Sequence, residues 1–157
     1  MKKVWKIMCI SVTVLVVKLL IILRKYIKEI QKMEGLILAK ENNLKIYEKW
    51  LNKIQDKKTV SSYLIKNGYN KISIYGMGHI GRNLYREFQN SGIETVYGID
   101  KSISNYGKLM CYHLNEDLPE TDLIIVTVTT GTDAIVKELK EKVQYPVESL
   151  TNILFML

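Results

Sequence analysis

Apolar residues first cluster in one block. From Ile7 to Leu23 the chain reads IMCISVTVLVVKLLIIL, broken only by Lys18. Extended back to Val4, the run is twenty residues long, about 30 Å as a helix, which matches a hydrocarbon core. Residues 1–25 therefore read as a membrane anchor. From Ile30 onward the period changes. Ile30, Met33, Ile37, Lys40, Leu44, Tyr47, Leu51 and Ile54 alternate three and four apart with charges between them, which predicts a helical stalk over 26–58. The stripe covers less than four heptads and contains Asn42-Asn43. It either packs on the C-terminal domain or pairs with a second copy, giving a homodimer through the stalk.

From residue 59 the pattern predicts a compact domain. Val60–Lys66 reads as a short helix closed by Asn67-Gly68, and Lys71–Tyr75 as a β-rich strand. Ile80, Leu84 and Phe88 have helical spacing, and Glu94–Ile99 is a second strand. Leu109–His113 is a short strand, and DLIIVTV from Asp122 to Val128 is a strand buried on both faces. Thr129–Thr132 forms a loop and Asp133–Lys142 an amphipathic helix. Pro146–Leu150 is the last strand, and 151–154 a closing turn. The predicted fold class is α/β: a small doubly wound, Rossmann-like parallel sheet, preceded by an N-terminal transmembrane helix and a helical stalk.

Charge separates the two halves. The chain carries a formal +7, and residues 1–33, with eight basic groups and one acidic, account for all of it. The rest sums to zero, which disfavours nucleic acid as a partner. Cys9 and Cys111 form no CxxC, and with two histidines they support neither a disulfide framework nor a metal site. The charged start and apolar run also fit a signal peptide, but no small-x-small cleavage site precedes Arg24-Lys25. Basic residues flank the run almost equally, so charge alone leaves its orientation undecided.

The chemistry lies in Gly76-Met77-Gly78-His79-Ile80-Gly81. This GxGxxG follows a strand, opens a helix and precedes, by nineteen residues, the acid Asp100 at the end of the next strand. Gly76 permits the tight turn, Gly78 leaves room for a diphosphate, and Gly81 lets helix and strand approach. The amides of the helix N-terminus, Ile80 among them, face the phosphates. Asp100 can accept from a ribose diol and repel a 2′-phosphate, which favours NAD over NADP, while Lys101 beside it weakens that preference. His79 can donate to a phosphate or sugar oxygen. Thr127 and Thr129, at the carboxyl end of the buried strand, are candidates for lining the cleft. Tyr97 and Lys101 match a Tyr-x-x-x-Lys pair, but they straddle a strand end, where four residues span about 13 Å instead of one helical turn. No catalytic constellation emerges. His113 is the only histidine outside the turn, and nothing resembles a substrate domain with a general acid or base.

KISIYGMGHIGRNLYREFQNSGIETVYGIDK, with IIVTVTTGTDAIVKELKEK and YPVESLTNIL, resembles a bacterial group over residues 57–157. It is similar to the small Rossmann-like domains associated with cell-surface polysaccharide enzymes such as glycosyltransferases, and to the nucleotide-sugar-binding front domain of bacterial sugar acetyltransferases. The stretch holds no hexapeptide repeats, so the second likeness ends with the front domain. The resemblance implies NAD or a nucleotide-sugar as ligand, with Gly76, Gly78, Gly81 and Asp100 in contact. It also implies a polysaccharide-synthesis enzyme as partner. The expected function is that of a membrane-tethered nucleotide-binding accessory protein in capsule or exopolysaccharide synthesis. It would be single-pass in the cell membrane, with its C-terminal domain in the cytoplasm where such ligands are found. Two alternatives stay open: an enzyme subunit completed by a partner chain, and a ligand-free membrane assembly module with a vestigial site.

Overall fold

A computed structural model describes the backbone of residues 2–157 and the side chains from Val14 onward. It opens with one helix, α1 (Lys2–Gln55), which contains no proline and a single glycine, Gly35. The chain divides into two units, residues 1–41 and 42–157.

In the first unit the side chains from Val14 to Leu38 are exposed. The apolar block within them ends at Leu23 and includes Lys18, with Arg24 and Lys25 directly behind it. Among the described residues no helix is long and apolar enough to cross a membrane. The anchor expected over residues 1–25 is corrected accordingly. So are the transmembrane helix in the fold class and the single-pass placement with a cytoplasmic domain. The earlier part of that apolar run, up to residue 13, lies outside the residues whose side chains are described.

The second unit contains the last turns of α1, then α2 (Val60–Lys66), β1 (Lys71–Tyr75), α3 (His79–Phe88) and β2 (Glu94–Ile99). β3 (Asn105–Tyr106), β4 (Leu109–Tyr112), β5 (Leu123–Val126), α4 (Thr132–Lys142), β6 (Val147–Ser149) and α5 (Leu150–Met156) complete it. The six strands lie in the order β3-β4-β2-β1-β5-β6. The sheet is mixed, which corrects the all-parallel expectation. Strands β1, β2, β4, β5 and β6 pair in parallel, but β3 runs antiparallel to β4, with Asn105 opposite Met110 and Tyr106 opposite Leu109. A two-residue loop joins them, and Gly107 at φ +62° supplies the left-handed backbone such hairpins require. A two-residue strand is too short to leave an alternating pattern in the sequence. α5 likewise replaces the closing turn, with Ser149 capping it by accepting from the Asn152 amide at 3.1 Å.

Alternation along the strands splits the core in two. Ile72 and Ile74 of β1, Leu123 and Ile125 of β5, and Leu109 and Cys111 of β4 face one side. They meet Ile46 and Trp50 of α1, Val60 and Leu64 of α2, Leu84 and Phe88 of α3, and Ile153 and Leu154 of α5. Tyr75, Tyr97, Ile99, Ile124 and Val126 face the other side and meet Leu139 of α4. The α1 face that packs here is not the one the stripe predicts. Ile46 and Trp50 are buried, whereas Leu44, Leu51 and Ile54 stay exposed. Strict 3-and-4 spacing marks one seam of a helix, and here the domain takes a neighbouring face.

Glu87 of α3 ties three helices. Its carboxylate accepts from Trp50 Nε1 at 2.9 Å, and from the Ser61 amide and hydroxyl at 2.9 and 3.1 Å. Glu87→Ala leaves these donors without their acceptor and should lower stability by about 1–3 kcal/mol. Urea denaturation checks this, and an unchanged midpoint would show that water replaces the carboxylate. Tyr97 offers a second test. Its hydroxyl and Ser73 Oγ are buried without hydrogen-bond partners, and burial pushes the phenol from 10.0 up to about 12. The unfolded chain then ionises first, so this contribution to stability is whole below pH 10 and is lost as pH rises towards 12. Tyr97→Phe should be no less stable at neutral pH and should flatten that alkaline loss, read from melting temperatures of the two proteins across the window.

Candidate functional site

The end of β1 is fixed from both neighbouring strands. The Gly76 amide donates to the Ile99 carbonyl at 2.8 Å. On the other side the Thr127 hydroxyl donates to the carbonyls of Tyr75 and Gly76, at 3.0 and 2.6 Å. Gly76 turns the chain at φ +92°, and a Cβ there would meet Val128 Cγ2 at 2.8 Å and Thr127 Oγ1 at 3.1 Å. Met77 is buried in the core, lying where a Cβ on Gly98 would meet its Cγ at 2.9 Å. The Met77 amide donates to Asp100 Oδ2 at 2.8 Å, and Asp100 Oδ1 accepts from the Ser102 amide and hydroxyl, both at 3.0 Å. Asp100 therefore stitches the end of β2 to the glycine turn. A carboxylate has about four lone-pair sites, so capacity remains for a ligand hydroxyl.

The three motif glycines differ in what demands them. At Gly81 a Cβ would overlap the Gly76 carbonyl oxygen, so close packing of helix on turn excludes any side chain. Gly76 needs its left-handed φ as well as the space. Gly78 needs neither: its φ of −71° suits any residue, and nothing lies within 4 Å of a Cβ built there. It is the N-cap of α3, a helix whose N-terminus has no side-chain cap. Serine, threonine or aspartate would serve that helix better. By helix geometry, the amides of residues 79–81 have no acceptor within α3.

These elements frame a cavity of about 290 Å³ at the carboxyl ends of β1 and β5, where connections from β1 and β5 diverge to opposite faces of the sheet. Of the residues singled out from sequence, Gly76, Gly78, His79, Ile80, Gly81, Asp100, Thr127 and Thr129 line it together. Ile80 turns its side chain into the core, so its contribution to the cavity is backbone. Lys101 does not line this cavity but an adjoining one, which shares Gly76, Asp100 and Val128 with it and continues to Tyr75 and Ile135; it also lines a depression with His113 and Glu138.

Asn43, Val128 and Thr130 also line the cavity and escape sequence reasoning. Asn43 Oδ1 accepts from the Thr129 hydroxyl at 2.7 Å, and Asn42 Nδ2 donates to the Thr129 carbonyl at 3.3 Å. The Asn42-Asn43 pair interrupting the apolar stripe of α1 is the one signal that could have found this wall.

The ionisable lining of the cavity is limited to Asp100 and His79. Cys111 is buried nearby, and burial, with the Asp100 charge adding, pushes its thiol up, which makes it a packed group instead of a nucleophile. Among the described residues no cluster of His, Cys, Asp or Glu could hold a metal ion. No family model, curated protein or solved structure matches this chain. Stability separates the roles of the glycines. Gly81→Ala should cost about 3 kcal/mol through backbone overlap, while Gly78→Ser should be neutral or stabilising by roughly a few tenths of a kcal/mol as a new cap. Paired denaturant titrations check this, and equal losses would refute the distinction.

Proposed function

We propose that the cavity binds the diphosphate of a nucleotide, either NAD or a nucleotide-sugar, on the N-terminus of α3. The observation that carries this reading is Gly78. It is a glycine that neither backbone conformation nor packing requires, standing at an uncapped helix N-terminus on an open cavity. A diphosphate explains both features at once: it accepts from the free amides, and it needs the space a Cβ would fill. Asp100 stands within the same cavity, where its one remaining acceptor site suits a ribose hydroxyl, and Thr127 and Thr129 lie on the opposite strand end.

The ligand would be bound rather than transformed, because no nucleophile or paired acid and base lines the cavity. The resemblance to domains that serve polysaccharide enzymes keeps the nucleotide-sugar arm beside NAD, with a polysaccharide-synthesis enzyme as the partner to seek.

Titration calorimetry of the full chain with NAD, NADP, UDP-glucose and UDP-N-acetylglucosamine tests the reading. Binding of one class that falls at least about tenfold in Gly78→Val, in a protein that still melts cooperatively, is the expected result. Asp100→Asn should weaken binding of the same ligand, while its loss of charge relaxes discrimination against NADP. No heat and no rise in melting temperature with any of the four ligands at millimolar concentration would overturn the proposal and leave the turn as packing alone.

A further inference from the structure

A second, larger cavity of about 530 Å³ lies at the carboxyl ends of β5 and β6, and Thr129 lines both it and the glycine-turn cavity. Its walls differ in character. Ile46, Leu154 and Phe155 give it apolar surface, Lys45 and Lys49 of α1 bring two ammonium groups, and Asp133 is the single carboxylate. The hydroxyl inventory is specific. Thr129 and Thr132 already donate their protons, to Asn43 and to the Val128 carbonyl, so each offers lone pairs to an incoming hydroxyl. Ser149 Oγ accepts from the Asn152 amide and keeps its proton free to donate.

Lys45, Lys49 and Lys53 follow one another at single-turn spacing on α1, a row of like charges that is unfavourable along a helix and is offset only at Lys45, by Glu41 and Glu48 four and three residues away. Burial and the charge of Lys53 hold the Lys49 ammonium below its ordinary range. Its Nζ lies over the Phe155 ring, at the edge of the apolar wall. A cavity with an apolar wall, hydroxyls that donate and accept, and two cations against one carboxylate is complementary to a ring bearing hydroxyls and one negative group.

We propose that this cavity binds an oxyanion carried on a hydroxylated ring, a sugar acid or a sugar phosphate, with Lys45 and Lys49 as its counter-charges. The assignment goes beyond the nucleotide reading and does not depend on it, because it uses none of the glycine-turn residues.

The test is calorimetric titration of the full chain with glucuronate, glucose 1-phosphate, glucose and inorganic phosphate. At least one anionic sugar should bind about tenfold or more tightly than glucose, and whichever of the two binds better identifies the oxyanion. The Lys45→Gln, Lys49→Gln double variant should reduce that affinity to the level of glucose, and Lys49→Arg should retain most of it. Gly78→Val should leave it unchanged, so that failure of the nucleotide site and failure of this one are read separately. Glucose binding as well as the anionic sugars, or a double variant with unchanged affinity, would overturn the proposal. So would inorganic phosphate binding as tightly as glucose 1-phosphate, which would reduce the site to the charge of a lysine row. Absence of binding by both anionic sugars would overturn it as well.

Discussion

The carboxyl end of the sheet depends on one close approach, that of the first turn of α3 to the carbonyl of Gly76. A Cβ on Gly81 would occupy the place of that oxygen, and Thr127 Oγ1 would lie 3.1 Å from it. The same carbonyl accepts the Thr127 hydroxyl at 2.6 Å, so the contact joins β1, α3 and β5 at a single point. Ile80 and Leu84 then follow into the core, and the amides ahead of them face the cavity. A side chain at position 81 would push the helix away from the turn, and the sheet contact and the cavity would be lost together.

Asp100 works against the same turn from β2. Its two oxygens hold the Met77 amide and Ser102, and Met77 is packed into space that exists only because residue 98 is glycine. The turn is thus clamped from two strands, by a carboxylate on one side and a threonine hydroxyl on the other. Rigid placement of this kind suits recognition of a fixed group such as a diphosphate, since little ordering remains to be done on binding. It also gives Asp100 a structural role that would persist without a ligand, so Gly78 distinguishes binding from packing better than the acid does.

Legibility in the sequence followed the range of the interactions. β1, α3 and β2 were readable because their signals are local: β-branched alternation, a glycine turn and helical spacing within thirty residues. Eight of the nine candidate site residues meet in one cavity: Gly76 to Gly81 are held by the strand–turn–helix, while Asp100 follows β2 and Thr127 and Thr129 follow β5, the two strands that flank β1. Lys101 lines the adjoining cavity, which shares Gly76 and Asp100 with the first. The anchor expectation rested on an apolar run from Val4 to Leu23, of which only Val14–Leu23 lie among the residues whose side chains are described. β3 was invisible because two residues cannot show a period. Asn43 was missed because it reaches the cavity from a helix 33 residues before Gly76 in sequence, and only tertiary structure brings it there.

The contribution of α1 changes how the switch point works. Connections from β1 and β5 leave on opposite faces, which opens a crevice that neither strand can close. Asn42 and Asn43 bond to Thr129 from above β5, so the crevice is divided at this residue into a smaller cavity over β1 and a larger one over β6. The first holds helix amides and a carboxylate, the second lysines and hydroxyls. This polar pair, set one turn before Ile46, acts with the Trp50–Glu87 and Asn83–Tyr47 hydrogen bonds to seat the helix, and it divides the crevice. Apolar packing alone could let α1 slide by a turn, because Ile46 and Trp50 are themselves one turn apart and would fit similar grooves. Two directional hydrogen bonds to a single loop residue exclude that slip, which is why amides stand where leucines would have buried more area.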